Sequence, residues 1–134
     1  MRLVDTSAWL EWLSGSPLGQ TVQAKLPMRS EWLVPTVVQL ELAKWLSREA
    51  GEDKADQVIA FTTTCAVVDL DTEIALSAAE LGARHTLAMA DAIIYATARI
   101  HDADVLTCDR HFENLAGVHY LPQPGESVAP VSGR

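Results

Sequence analysis

Residues 89–109 read MADAIIYATARIHDADVLTCD. Apolar residues recur at helical spacing from Met89 to His101, the most periodic stretch of the chain. A short apolar run, Asp104–Thr107, follows at once. It reads as a buried strand, and Asp109 lies just past its end. A helix that returns the chain to a short, buried strand is the unit of a parallel sheet. The same alternation extends in both directions. Strands are expected at Arg2–Asp5, Glu31–Val34, Cys65–Leu70 and Val118–Leu121. Helices are expected at Thr6–Leu13, Leu18–Leu26, Thr36–Glu49, Asp53–Thr62 and Asp71–Ala83, with a short one from Asp109 to Leu115. The fold class is α/β, doubly wound, with helices on both faces of a central parallel sheet.

The chain has 134 residues, a formal charge of −8 and a sequence pI near 4.8. That length fits one domain, expected over residues 1–121. Residues 122–134 are rich in proline and read as a loosely ordered tail. Hydrophobic residues make up 49%, too many for a disordered chain. Asp5 and Glu11 interrupt the apolar N-terminal stretch, so no signal peptide is expected there. No run is long enough for a membrane span. Two cysteines make no disulfide framework, which suits a reducing, cytoplasmic setting. A basic footprint is absent, and charge alone argues against a nucleic-acid partner.

The acids contradict that first inference. In doubly wound sheets, sites form beyond the carboxyl ends of the strands. Asp5 ends the first strand, Asp109 follows the fourth, and Asp91 opens the helix that leads into the fourth. Glu41 lies in the Thr36–Glu49 helix, with Val37, Val38 and Trp45 as neighbours. That places it on the apolar face, where it needs a partner: Lys44 or a bound cation. Two carboxylates ~5 Å apart repel by ~3 kcal/mol at an effective dielectric near 20. Converging acids therefore take up protons or a cation. Oxygen ligands without paired His or Cys favour Mg²⁺ or Mn²⁺, which can activate water at a phosphodiester. Each acid also has a plainer use. Asp5 and Asp109 could cap helices, Asp91 could complement a helix dipole, and Glu41 could pair with Lys44 on the surface.

Four segments carry a resemblance: LVDTSAWLEWL at the start, VPTVVQLELAKWL around Glu41, LAMADAIIYATAR around Asp91 and VLTCDRHFENL around Asp109. Together they resemble PIN-domain ribonucleases, specifically VapC-type toxins of type II toxin–antitoxin systems, from Arg2 to about Leu121. The resemblance implies a PIN-like, three-layer fold with strand order 3-2-1-4-5. It implies that Asp5, Glu41, Asp91 and Asp109 are catalytic and hold one or two Mg²⁺ or Mn²⁺ ions. Thr107 and Thr6 would support them, with Glu113 as a further acid. It implies an RNA substrate such as tRNA or rRNA, a small antitoxin with a basic C-terminal segment, and a homodimer. With that strand order Cys65 and Cys108 stand three strand spacings apart, roughly 14 Å, and no disulfide is expected.

The remaining residues carry less. His85, His101, His111 and His119 show no paired spacing, and none is expected to be a ligand; His111 is the one near the substrate. Arg84 and Arg110 either touch phosphates or are solvated. Trp9, Trp12 and Trp45 line a partner groove or, for Trp9 and Trp12, fill the core. If Trp9 and Trp12 line the groove, both are partly exposed in the free chain. A receiver domain or a haloacid-dehalogenase-like phosphatase would place a second acid beside or near Asp5, where Thr6 and Ser7 stand. An RNA-processing nuclease outside toxin–antitoxin systems and a non-catalytic binding module are the competing readings. The four acids account for −4 of the net charge of −8, and two divalent ions would cancel their share. The charge balance then no longer counts against an RNA substrate.

Overall fold

The computed structural model describes residues 1–125. Most of the proline-rich tail, 126–134, lies outside the described residues. Five parallel strands form one sheet in the order β3-β2-β1-β4-β5: β1 Arg2–Val4, β2 Trp32–Pro35, β3 Ala66–Val68, β4 Asp104–Thr107 and β5 Val118–Tyr120. The helices are α1 Thr6–Ser14, α2 Pro17–Gln23, α3 Thr36–Glu49, α4 Glu52–Thr62, α5 Thr72–His85 and α6 Met89–Ile100, with 3₁₀ turns at Arg29–Glu31 and Arg110–Phe112.

The expected alternation, sheet order and parallel direction are all present, and boundaries move by a few residues. The third strand is shorter than expected and stops at Val68. It is an edge strand with β2 as its one neighbour, and Asp69 and Leu70 beyond it are exposed. No helix among the described residues is long and apolar enough to cross a membrane.

Right-handed crossovers fix the layers. The path from β1 to β2 to β3 moves in one direction, so α1 to α4 cover one face. The path from β3 back to β4 reverses, so α5 and α6 cover the other. The reversal falls between β1 and β4, and these strands pair directly, with Val4 opposite Leu106. Their carboxyl ends therefore flank the crevice where such sheets place their sites.

The core explains why these strands are so short. Leu3, Val4, Leu33, Val34, Val105 and Leu106 are buried on both faces of the sheet. Trp9 is fully buried, and its ring packs 4.7 Å from Trp32 and 6.0 Å from Phe61, centroid to centroid. Trp9 thus takes the core role, which removes it from any exposed groove. The first turn of α1 points it inward, beside Ala8. Trp12 is half-buried at the edge of this aromatic cluster, and Trp45 is exposed. Gly19 lets α2 lie directly on α1, since a Cβ there would stand 2.1 Å from the Glu11 carbonyl oxygen. Cys65 and Cys108 are both free thiols.

Candidate metal centre

β1 and β4 place the first two acids side by side. The Asp5 amide continues the sheet by donating to the Leu106 carbonyl at 2.9 Å. Its side chain, 3% exposed, makes no cap to α1. Instead its Oδ2 accepts from the Thr107 hydroxyl and from the Ser7 hydroxyl, each at 2.7 Å. Ser7 Oγ and Thr107 Oγ1 also stand 3.3 Å apart. Each hydroxyl has one proton, and both protons go to Asp5. The same oxygens accept in turn: Ser7 Oγ from the Cys108 amide at 3.0 Å and Thr107 Oγ1 from the Asp109 amide at 2.9 Å. One small network thus fixes Asp5 and the backbone that carries Asp109.

Asp109 caps the 3₁₀ turn after it, accepting from the His111 amide at 2.9 Å. It also faces the cluster, because Asp109 acts electrostatically on both Asp5 and Asp91. Asp91 sits in the first turn of α6 with its side chain 17% exposed. Its carboxylate lies 3.7 Å from His111 Nδ1.

Glu41 belongs to the same group but is held differently than the sequence suggested. The buried face of α3 is Val38, Leu42 and Leu46. Glu41 lies at the margin of that face, half-buried, and its partner is Thr6 rather than Lys44. The Thr6 hydroxyl donates to Glu41 Oε1 at 2.6 Å. Glu113 is also partly buried, with Oε1 3.8 Å from Arg110 Nε. Asp109 and Glu41 act on both Asp5 and Asp91, with Asp5 itself and His111 also acting on Asp91. Arg84 pairs with Glu80 one turn away on α5.

The electrostatics follow from crowding. Burial raises Asp5 from its ordinary value to about 6, and the Ser7 and Thr107 hydroxyls only partly oppose this. Asp109 and Glu41 push it further in the same direction. Asp91 also rises to about 6, first by burial and then by Asp109 and Asp5. Cys108, buried beside Glu11 and Asp5, is pushed up to about 12 and stays a neutral thiol. Asp109 and Glu41 thus raise the proton affinity of Asp5 and Asp91, and such a gathering of carboxylate oxygens suits a hard divalent cation.

Ser7 is the residue that sequence reading left out. It enters only as a residue standing where competing folds would carry a second acid near Asp5. The signal available was its place two residues after a strand-ending acid, and only the β1–β4 pairing brings it to Thr107.

A parallel sheet in the order 3-2-1-4-5, with acids gathered past the carboxyl ends of its central strands, defines an α/β protein with a carboxylate-rich centre at the topological switch point. The PIN domain family model matches residues 2–118. The chain belongs to the PIN domain family. No curated protein sequence matches it. Solved structures similar in fold include a toxin–antitoxin complex from Klebsiella pneumoniae, at 21% identity and a TM-score of 0.76, covering 89% of this chain and 96% of that one. DNA-bound VapBC from Salmonella typhimurium is 17% identical with a TM-score of 0.69, covering 90% and 96%. Mycobacterium tuberculosis VapC20, described as a sarcin–ricin loop cleaving toxin, is 22% identical with a TM-score of 0.66, covering 81% and 90%.

Proposed function

We propose that this chain is a Mg²⁺- or Mn²⁺-dependent endoribonuclease that acts as the toxin of a toxin–antitoxin pair. The observation that carries this is the convergence of Asp5, Glu41, Asp91 and Asp109 at one crevice of a PIN fold. The toxin assignment draws on the similar structures, several of which are toxin–antitoxin complexes.

In this reading Asp5, Asp91 and Asp109 hold the cation and Glu41 either joins them or orients the attacking water. A divalent ion bound there supplies an acidified water and charge neutralisation at the phosphate. The chain's own residues do the positioning. Ser7 and Thr107 hold Asp5 in one rotamer, Thr107 holds the Asp109 backbone, and Thr6 holds Glu41. Glu113, one turn beyond Asp109, stands as a further acid near the site.

The partner would be a small antitoxin with a basic terminal segment. Beside Glu41 a groove of about 320 Å³ is lined by Leu10, Val37, Leu40 and Trp45 together with Thr6, Glu41, Lys44 and Arg48. Leu40 is 62% exposed and Trp45 39%, an apolar surface suited to an amphipathic helix ending at the acids. A larger groove of about 460 Å³ between α5 and α6 is lined by apolar residues and carries none of the acids. With Leu76 and Met89 exposed beside it, that face suits a second copy in the expected homodimer. A cytoplasmic setting is consistent with two free thiols.

The test is cleavage of RNA by the purified chain with Mg²⁺ or Mn²⁺, and with chelator. Products should carry 5′-phosphate and 3′-hydroxyl ends. Activity that persists in Asp5→Asn or Asp91→Asn sinks the site assignment. Expression with and without a small adjacent reading frame separates toxin from RNA-processing enzyme. Growth arrest relieved by that neighbour supports the toxin reading. Harmless expression of folded, RNA-cleaving protein favours the processing enzyme, and a folded chain that cleaves nothing favours a binding module.

A further inference from the structure

The carboxylate centre has an imidazole at its rim. His111 stands in the 3₁₀ turn directly after Asp109. Its Nδ1 lies 2.9 Å from Asp109 Oδ1 and 3.7 Å from Asp91 Oδ2. One ligand atom from each of Asp91, Asp109 and His111 falls within 4.8 Å of the others, the one such group of three among the described residues. Neighbouring ligands on a six-coordinate ion with bonds of ~2.1 Å stand ~3 Å apart, and opposite ones ~4.2 Å. The two distances from the ring nitrogen, 2.9 and 3.7 Å, fall within the range of one coordination sphere.

The placement is built into the backbone. Thr107 Oγ1 holds the Asp109 amide, and the Asp109 carboxylate holds the His111 amide. The turn that presents the acid presents the ring as well. His119 is engaged elsewhere, 3.4 Å from Asp104, and the His85 ring stacks edge-on against Tyr95.

We infer that His111 is a nitrogen ligand of the divalent cation, which makes this a mixed oxygen–nitrogen centre that favours Mn²⁺ over Mg²⁺. The inference rests on the reading that the acids hold a cation, and it departs from the expectation that no histidine is a ligand. Mg²⁺ takes oxygen ligands and gains little from imidazole, whereas affinity for nitrogen-bearing sites rises from Mn²⁺ along the first-row series. A neutral ring also completes the sphere without adding a fifth negative charge to an already crowded set. The side chain is 76% exposed and would hold the cation together with Asp91 and Asp109.

The test uses Mn²⁺ as the probe, with pulsed electron paramagnetic resonance to detect ¹⁴N coupling and calorimetry to measure affinity. The wild-type chain should show imidazole nitrogen coupled to bound Mn²⁺. His111→Ala should abolish the coupling and weaken Mn²⁺ at least ~10-fold, with Mg²⁺ weakened less than ~3-fold. His111→Gln should behave likewise, and His119→Ala should leave the coupling intact. Because His111 is exposed, both substitutions should leave the circular dichroism spectrum unchanged. Mn²⁺ bound without ¹⁴N coupling, and lost in Asp91→Asn, overturns the ligand role of His111 while the acid site stands. Coupling that persists in His111→Ala also overturns it. Failure of the wild-type chain to bind Mn²⁺ at all overturns both readings.

Discussion

The Thr107 hydroxyl donates to Asp5 Oδ2 at 2.7 Å across the β1–β4 pair. Two residues 102 positions apart thereby share one proton at the base of the acidic crevice. The same oxygen of Thr107 takes the Asp109 amide, so this hydroxyl links two of the four acids. Thr107→Val keeps the shape and removes both bonds. We expect cleavage and Mn²⁺ affinity to fall ~10–100-fold, as for partners that orient metal ligands. Stability should fall by only about 1–2 kcal/mol. Ser7→Ala should act in the same direction, and titration calorimetry beside chemical denaturation separates the two effects.

Asp5 and Asp91 bind protons more tightly in the folded chain than in the unfolded one, since both rise to about 6. Such groups stabilise the fold when protonated, and that stability is lost as pH rises from about 4 through about 6. The metal-free chain should therefore melt at a higher temperature at pH 5 than at pH 7. For buried Asp5 a shift of roughly two units corresponds to an order of 3 kcal/mol. Asp5→Asn should stabilise the metal-free chain at pH 7 and flatten this dependence. Added Mn²⁺ should stabilise the wild type more at pH 7 than at pH 5, because protons and cation compete. Differential scanning calorimetry in chelator and in Mn²⁺ reads all three outcomes.

The tryptophans should separate by role. Trp9→Ala removes the centre of the aromatic cluster and should cost about 3–5 kcal/mol in urea denaturation. Trp45 is 39% exposed, so Trp45→Ala should change stability by less than ~0.5 kcal/mol. If an antitoxin helix occupies the groove beside Glu41, Trp45→Ala should weaken that complex at least ~10-fold, measured by calorimetry. Acrylamide quenching of Trp45 should diminish in the complex.

Gly19 tests the α1–α2 contact. A methyl group there meets the Glu11 carbonyl, which is backbone and cannot rotate away. Gly19→Ala should destabilise by about 3 kcal/mol or more, against the small gain alanine normally brings to a helix. Its RNA cleavage at low temperature should survive, since α2 carries none of the acids.

Periodicity and short apolar runs were enough to read the class of fold, the elements and three of the acids, because strand ends and helix starts are local features of a chain. The strand order and the family came from the pattern of four segments, and free cysteines agree with that order. Local pattern could not say which face of α3 is buried. Glu41 reads as an inward residue by spacing, yet the core takes Leu42 and leaves Glu41 to Thr6 at the margin. Nor could it pair Ser7 with Thr107 or aim Trp9 at Trp32 and Phe61. Those contacts join residues far apart in sequence, and they exist only once β1 lies against β4 and α1 against β2. The residue types and their order fix an acidic crevice on a parallel sheet. The packing of distant segments fixes which hydroxyl holds which acid, and how tightly Asp5 and Asp91 keep their protons.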